Sequence, residues 1–252
     1  MRSARNRTLP LALAALFALS GCAKATVAGP PAGPPIEAVQ AAAERLSEGF
    51  NYMGAYKTDV GIDDVNGAEL PAEEKFTRSE SSVYDSTATT SETIRIGDEL
   101  WLRYDGSPYL PEGWGHLASG GGAFAEASAM IGPATWIPAL LDEIVEIERV
   151  GAMQYEGVVD FESVDDELTG LTAYVASDVD DADEVVFRAT LDVDGNLDLF
   201  RYELEGTARG TMEVVFSFTE HGQPREITAP DEPMTELTQE SMVEWLLGGY
   251  GE

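Results

Sequence analysis

A single cysteine, Cys22, stands in 252 residues, so no disulfide can form within the chain and its stability must come from packing. Lysine is nearly as scarce, at Lys24, Lys57 and Lys75, and the only histidines are His116 and His221. Basic residues number 15 against 46 acidic ones, a formal net charge of −31. Such a surface repels nucleic acid and anionic headgroups, which excludes electrostatic binding to either. No apolar run reaches the roughly 20 residues that a membrane-spanning helix needs. There is no Gly-x-Ser-x-Gly elbow, no phosphate-cradling glycine loop and no zinc-ligand spacing. We therefore expect no enzyme, cofactor or metal here.

Two patterns come near to chemistry without reaching it. Asp192, Asp194, Asn196, Asp198 and Glu203 fall at positions 1, 3, 5, 7 and 12 of a calcium-loop count, but Gly195 stands fourth where that loop needs its glycine sixth. The flanks read as strands, so the segment is expected to be a hairpin turn. The acidic run from Asp178 to Glu184 reads as a solvated loop, and the two histidines as turn or surface residues.

What is present begins at the N-terminus. Arg2, Arg5 and Arg7 precede an apolar stretch from Leu9 to Leu19, too short to span a bilayer, and Leu19-Ser20-Gly21-Cys22 follows. This resembles a secretory signal that ends in a bacterial lipobox, a likeness that implies Cys22 as the acceptor of a diacylglycerol. Residues 1–21 are then a leader, and the Ala, Gly and Pro-rich segment 22–35 an extended tether. Residues 36–252 are expected to form one domain.

Along that domain the apolar stripe Ile36, Val39, Ala43, Leu46 and Phe50 predicts a helix ending near Gly49. Lys75 to Glu92, rich in Ser and Thr, predicts one or two solvated or edge strands. Ile94 and Ile96, then Leu100, Leu102 and Tyr104 after Gly97-Asp98, alternate as a hairpin does. Gly113 to Gly122 reads as a glycine-rich loop, Phe124 to Ile131 as a short helix, and Trp136, Ile137, Leu140, Leu141 and Ile144 as one face of another. A meander follows, with Val185, Phe187, Ala189, Leu191 and Val193 on one strand face and Met212, Val214, Phe216 and Phe218 on a later one. A last helix is expected from about Thr235 to Leu247. Together these give an α+β domain, an antiparallel sheet with helices gathered on one face.

The order of these pieces resembles the LppX/LprAFG family of actinobacterial lipoproteins. The likeness is carried by the lipobox and tether, Ile94 to Arg103, Trp136 to Leu141, Tyr155-Glu156-Gly157-Val158, and Phe218 to Pro230 with its Gly222-Gln223-Pro224 turn. It implies a strongly curved antiparallel sheet, a half-barrel, with helices packed on the concave face over an apolar cavity. The function it implies is binding the acyl chains of a lipid or glycolipid, for transport or envelope maintenance, by a monomer held to the extracytoplasmic face of the cell membrane by its lipid anchor. The residues expected to line the cavity are Ile94, Ile96, Leu100, Leu102, Trp136, Leu140, Ile144, Phe187, Val214, Phe216 and Phe218. The same alternation equally suits an ordinary filled core, in an acidic interaction or sensory lipoprotein without a lipid ligand.

Metabolic labelling with a fatty acid tests the anchor: label on the wild-type chain should disappear in Cys22→Ser, and label that persists in the variant contradicts it.

Overall fold

The computed structural model describes residues 33–84, 87–105, 112–117, 136–160, 184–207 and 210–238. These are mainly β. Helix α1 (Pro35–Arg45) leads through a 3-10 turn to β1 (Phe50–Lys57), β2 (Gly61–Leu70), β3 (Lys75–Tyr84), β4 (Thr87–Ile96), β5 (Glu99–Asp105) and β6 (Trp114–Leu117). Helix α2 (Trp136–Asp142) precedes β7 (Ile144–Arg149), β8 (Gln154–Asp160), β9 (Glu184–Leu191), β10 (Leu197–Thr207), β11 (Gly210–Thr219) and the short β12 (Met234–Glu236).

All twelve strands form one curved, open sheet in the order β12-β6-β5-β4-β3-β2-β1-β11-β10-β9-β8-β7. Two meanders, β1 to β6 and β7 to β11, run outward from and back to the middle of the sheet. There β1 pairs antiparallel with β11, from Asn51↔Thr219 to Lys57↔Glu213. Every pairing is antiparallel except that of β12 with β6.

Helix α1 starts with Pro35 at its first turn, where the missing N–H costs nothing, and carries Glu37 near its N-terminus and Arg45 near its C-terminus, each of the sign that the helix dipole favours. It stops earlier than its apolar stripe suggests. Gly49 takes φ +102°, a conformation closed to other residues at low cost, and turns the chain so that Phe50 opens β1. Phe50 still reaches the same core, as a strand residue. In the same way Ile144 belongs to β7 and not to α2, and Trp114 to Leu117 form a strand where a glycine loop is expected. The segment Thr235 to Leu247 is a strand at its start; 239–252, like 118–135 with its expected helix, lies outside the described residues.

Strands β3 and β4 are interior to the sheet, not edges, and β1, β2, β7 and β8 carry no clear period-two apolar signal of their own. Cross-strand partners share a face, so the register links one surface across the whole sheet. On it stand Phe50 and Tyr52 of β1, Met212 to Phe218 at alternate positions of β11, Phe200, Tyr202 and Leu204 of β10, Val185 to Leu191 at alternate positions of β9, and Tyr155 and Val159 of β8. These side chains form one buried cluster with Val39, Ala42, Ala43 and Leu46 and with Ile137, Leu140 and Leu141. We call this the core-bearing face.

Three glycines on this face sit beneath the ring of their direct cross-strand partner. A Cβ on Gly54 would meet Phe216 Cδ1 at 2.6 Å, one on Gly67 the Tyr52 ring at 2.5 Å, and one on Gly157 Phe187 Cε1 at 2.6 Å. Each ring occupies the space that a side chain on the glycine would fill, which covers the exposed backbone. Gly54→Ala should therefore overpack the core and cost about 1–3 kcal/mol. Urea unfolding checks this: a lower midpoint is expected, and an unchanged midpoint and slope would contradict it.

Candidate functional site

Towards β2 to β5 the core-bearing face changes character. The register carries Phe50 to Glu69, Phe76 and Arg95; Tyr52 to Gly67, Arg78 and Thr93; Gly54 to Val65, Glu80 and Ser91; and Tyr56 to Asp63, Ser82 and Thr89. The β5 residues that complete these rows are Leu100, Leu102 and Tyr104. Two basic and three acidic side chains thus stand in the middle of the sheet, on the face that carries the core a few strands away.

This polar band is largely shielded. Asp63 is 8% exposed and Glu69 2%, and the buried Thr93 stands between Arg78 and Leu102 in the register. Arg78 Nη2 donates to Glu80 Oε2 at 2.8 Å, with just under a quarter of each side chain accessible. Burial opposes the charge on Arg78, but the neighbouring Glu80 carboxyl, with Tyr56 and Tyr52, outweighs it and leaves the guanidinium harder to deprotonate than usual. Burial pushes the Tyr52 and Tyr202 hydroxyls above the usual phenol range, so both stay neutral. Tyr52 donates to the Thr77 carbonyl at 3.2 Å. Arg95 Nε donates to the Gly97 carbonyl at 3.0 Å, across the turn between β4 and β5. Arg78 Nε is buried with no acceptor among the described residues.

The eleven residues expected to line a cavity do not lie together. Leu140, Ile144, Phe187, Val214, Phe216 and Phe218 belong to the packed cluster. Within it Phe187 and Val214 are 0% exposed. Rings fill this half: Phe187 with Phe200 at 5.6 Å, Phe50 with Phe218 at 5.5 Å and Tyr56 with Phe216 at 5.6 Å. These six are therefore core, packed against the helices and one another. Ile94 and Ile96 pair with Trp101 and Glu99, whereas Leu100 and Leu102 pair with Arg95 and Thr93. The two pairs face opposite sides of the sheet, so only Leu100 and Leu102 border the polar band. Residue Trp136 opens α2, and its side chain, like Cys22, lies outside the described residues.

Ile94 instead lies on a surface row that the chain itself covers. Asn51, Ala68, Thr77, Ile94, Trp101 and His116 are successive cross-strand partners on the face opposite the core. After β11 the chain crosses this row as a strap. The Gly222 N–H donates to the Gly49 carbonyl, Arg225 N–H to Asn51 Oδ1 at 3.0 Å, and Arg225 Nη2 to Thr77 Oγ1 at 2.7 Å. Ile227 is buried, Arg103 pairs with Glu232 at 3.5 Å, and Trp101 Nε1 donates to Met234 Sδ at 3.2 Å. His116, stacked on Trp101 with ring centroids 5.1 Å apart, bonds Glu236 through Nδ1 at 2.8 Å. The expectation of a loop or turn histidine thus gives way, for His116, to a strand histidine that holds the strap. His221 does follow β11 in a turn.

The calcium-like count is a hairpin turn between β9 and β10. Asp192 Oδ1 accepts the N–H groups of Asp194 and Asn196, and Asp192 Oδ2 accepts Asn196 Nδ2. Arg45, at the end of α1, donates to the Asp194 and Gly195 carbonyls. Among the described residues no group of three metal-ligating side chains occurs. Of the acidic run 178–184, only Glu184 is within the described residues, at the start of β9. No helix among the described residues is long and apolar enough to cross a membrane. No family model matches the chain, and no curated protein sequence is similar to it.

Burial works to raise the Asp192 carboxyl, but its hydrogen bonds from Asn196 and Asp194, with His221 beyond them, hold it below the ordinary range. Its contribution to stability is therefore present above about pH 3.9, its unfolded value, and is lost as pH falls through the lower folded value. Acid unfolding of the wild type and Asp192→Asn checks this. The stability difference between them should shrink below about pH 4, and a difference constant down to pH 2 would contradict it.

Proposed function

We propose that this chain is an exported lipoprotein, anchored through Cys22, that holds an acyl-bearing lipid against the β2 to β5 part of its core-bearing face. In this reading the open sheet is a half-barrel, α1 and α2 fill one half of its concave side, and the polar band meets the polar end of the ligand.

The observation that carries this reading is the band itself. Asp63, Glu69, Arg78, Glu80 and Arg95 occupy sites where an ordinary sheet would place aliphatic side chains. Replacing buried ion pairs by well-packed apolar groups is often neutral or stabilising by about 1–4 kcal/mol. Keeping them there needs a reason other than stability, and partly shielded polar groups converging on one surface suit a ligand with polar atoms. Leu100, Leu102 and Phe76 border the band, so an amphipathic ligand finds both kinds of contact within three strands. The lipobox and the likeness to LppX/LprAFG lipoproteins point to a lipid as that ligand.

The packed cluster under α1 and α2 favours a second reading, an envelope protein that works through its acidic surface with no lipid inside. Native mass spectrometry of the Cys22→Ser protein, delipidated and then offered a mixture of diacyl lipids, separates the two. Stoichiometric lipid retention is expected. Absence of any bound lipid, together with salt-sensitive capture of a basic envelope protein, would favour the second reading.

A further inference from the structure

The chain has two histidines, and one of them stands where the strap ends. We propose that His116 is a pH-sensitive latch: it holds β12 on the edge of β6 most firmly when its ring is doubly protonated, and lets it go as pH rises through the histidine range.

The ring lies between two carboxyl groups, one from the strand on each side. Nδ1 bonds Glu236 Oε1 of β12 at 2.8 Å, and Nε2 faces Glu99 Oε1 of β5 at 3.8 Å. A neutral ring suits one of these and not both. A carboxylate at Glu236 needs the proton on Nδ1, which leaves Nε2 as a lone pair facing a second carboxylate. That nitrogen is buried with no hydrogen-bond partner among the described residues. A second proton turns the lone pair into a donor and places a positive charge between the two acids. Histidine is the side chain that ordinarily makes this change between pH 5 and 8, a range in which ordinary carboxylates stay charged.

The other groups around the ring do not oppose that charge. Trp101 of β5 stacks on it, and Ile94 of β4 continues the row. The basic residue on this face of β5, Arg103, is tied to Glu92 of β4 and to Glu232 of the strap, and lies over the ring of Trp114. Met234 of β12 only accepts, from Trp101 Nε1.

Little else holds this end of the strap. Strand β12 has three residues, all exposed, and makes the one parallel pairing among the described residues. Beyond it the Leu237 N–H donates to the His116 carbonyl at 2.7 Å, and the Leu237 side chain covers Gly115. Gly115 pairs with Leu102, on the core-bearing face. Release of β12 therefore bares the backbone edge of β6 and lifts Leu237 from the surface beside Leu102. Side chains Glu99 and Glu236 are 53% and 71% accessible, so water weakens both contacts and the latch changes occupancy several-fold, not all at once.

Amide exchange followed by NMR on the Cys22→Ser protein reads the latch at the Leu237 N–H. The quantity is the protection factor, from which the intrinsic pH dependence of exchange has been divided out. Protection at about pH 5.5 should exceed that at about pH 8 by at least about threefold. In His116→Gln, whose amide can still donate to Glu236 but does not titrate, protection should be equal at the two pH values. Glu99→Gln should shrink the wild-type difference, and His221→Gln should leave it intact. Equal protection in the wild type at both pH values overturns the latch. So does a difference that survives His116→Gln, or one that vanishes in His221→Gln, which assigns the response to the turn after β11. If His116→Gln does not fold, the full difference retained in Glu99→Gln overturns it instead.

Discussion

Two meanders become one sheet only where β1 pairs with β11. Residues 51–57 meet residues 213–219 there, joining parts of the chain that are far apart in sequence. Most of the structure depends on that register. It lays Phe216 over Gly54 and sets Phe218 beside Tyr52, and so brings the aromatic half of the core-bearing face up to the polar half. A slip of one residue would turn Phe216 and Phe218 to solvent and expose Gly54 and its backbone. Contacts so distant in sequence form late, after loop-closure entropy has been met. The strap after β11 reinforces the same junction from the other side of the sheet, through Gly222 to Gly49 and Arg225 to Asn51 and Thr77.

From this junction the core-bearing face divides. On the β11 side, rings and aliphatic side chains close against two helices, and the stability of the chain, which has no disulfide, resides there. On the β2 side, guanidinium and carboxyl groups occupy equivalent positions at a cost in desolvation that pairing only offsets. One half of the face holds the fold together, and the other gives up stability for polar contacts. That division of labour suits the amphipathic ligand proposed above.

The sequence was legible where one strand face is apolar and obscure where it is not. Phe187 with Ala189, and Val214 with Phe216 and Phe218, alternate cleanly and stand buried on one face, and the turn at Asp194-Gly195 is where its residues suggest. Strands β1 and β2 left no apolar rhythm, because Gly54 and Gly67 contribute no side chain and Asp63 and Glu69 take core-side places. Strands β3 and β4 looked solvated for the same reason: Arg78, Glu80, Thr93 and Arg95 hold the positions that would have marked an interior strand. The polar band was thus hidden by the very residues that compose it. Its only sequence signal was charge at a spacing of two, in Arg78 and Glu80. The assignment of Ile94 and Ile96 to the same side as Leu100 and Leu102 failed for a different reason. A hairpin with apolar residues on both faces does not say which pair faces inward, and here the strap supplies a second buried surface.

In the proposed reading the ligand lies against β2 to β5, on the face that carries α1 and α2. Photocrosslinking measures that location directly. A diacyl lipid with a diazirine near its headgroup, bound to the Cys22→Ser protein and irradiated, should label peptides within residues 63–104, and labelling should fall when Arg78 is replaced by Met. Crosslinks confined to the strap-covered face, or spread over the surface without preference, would contradict the account.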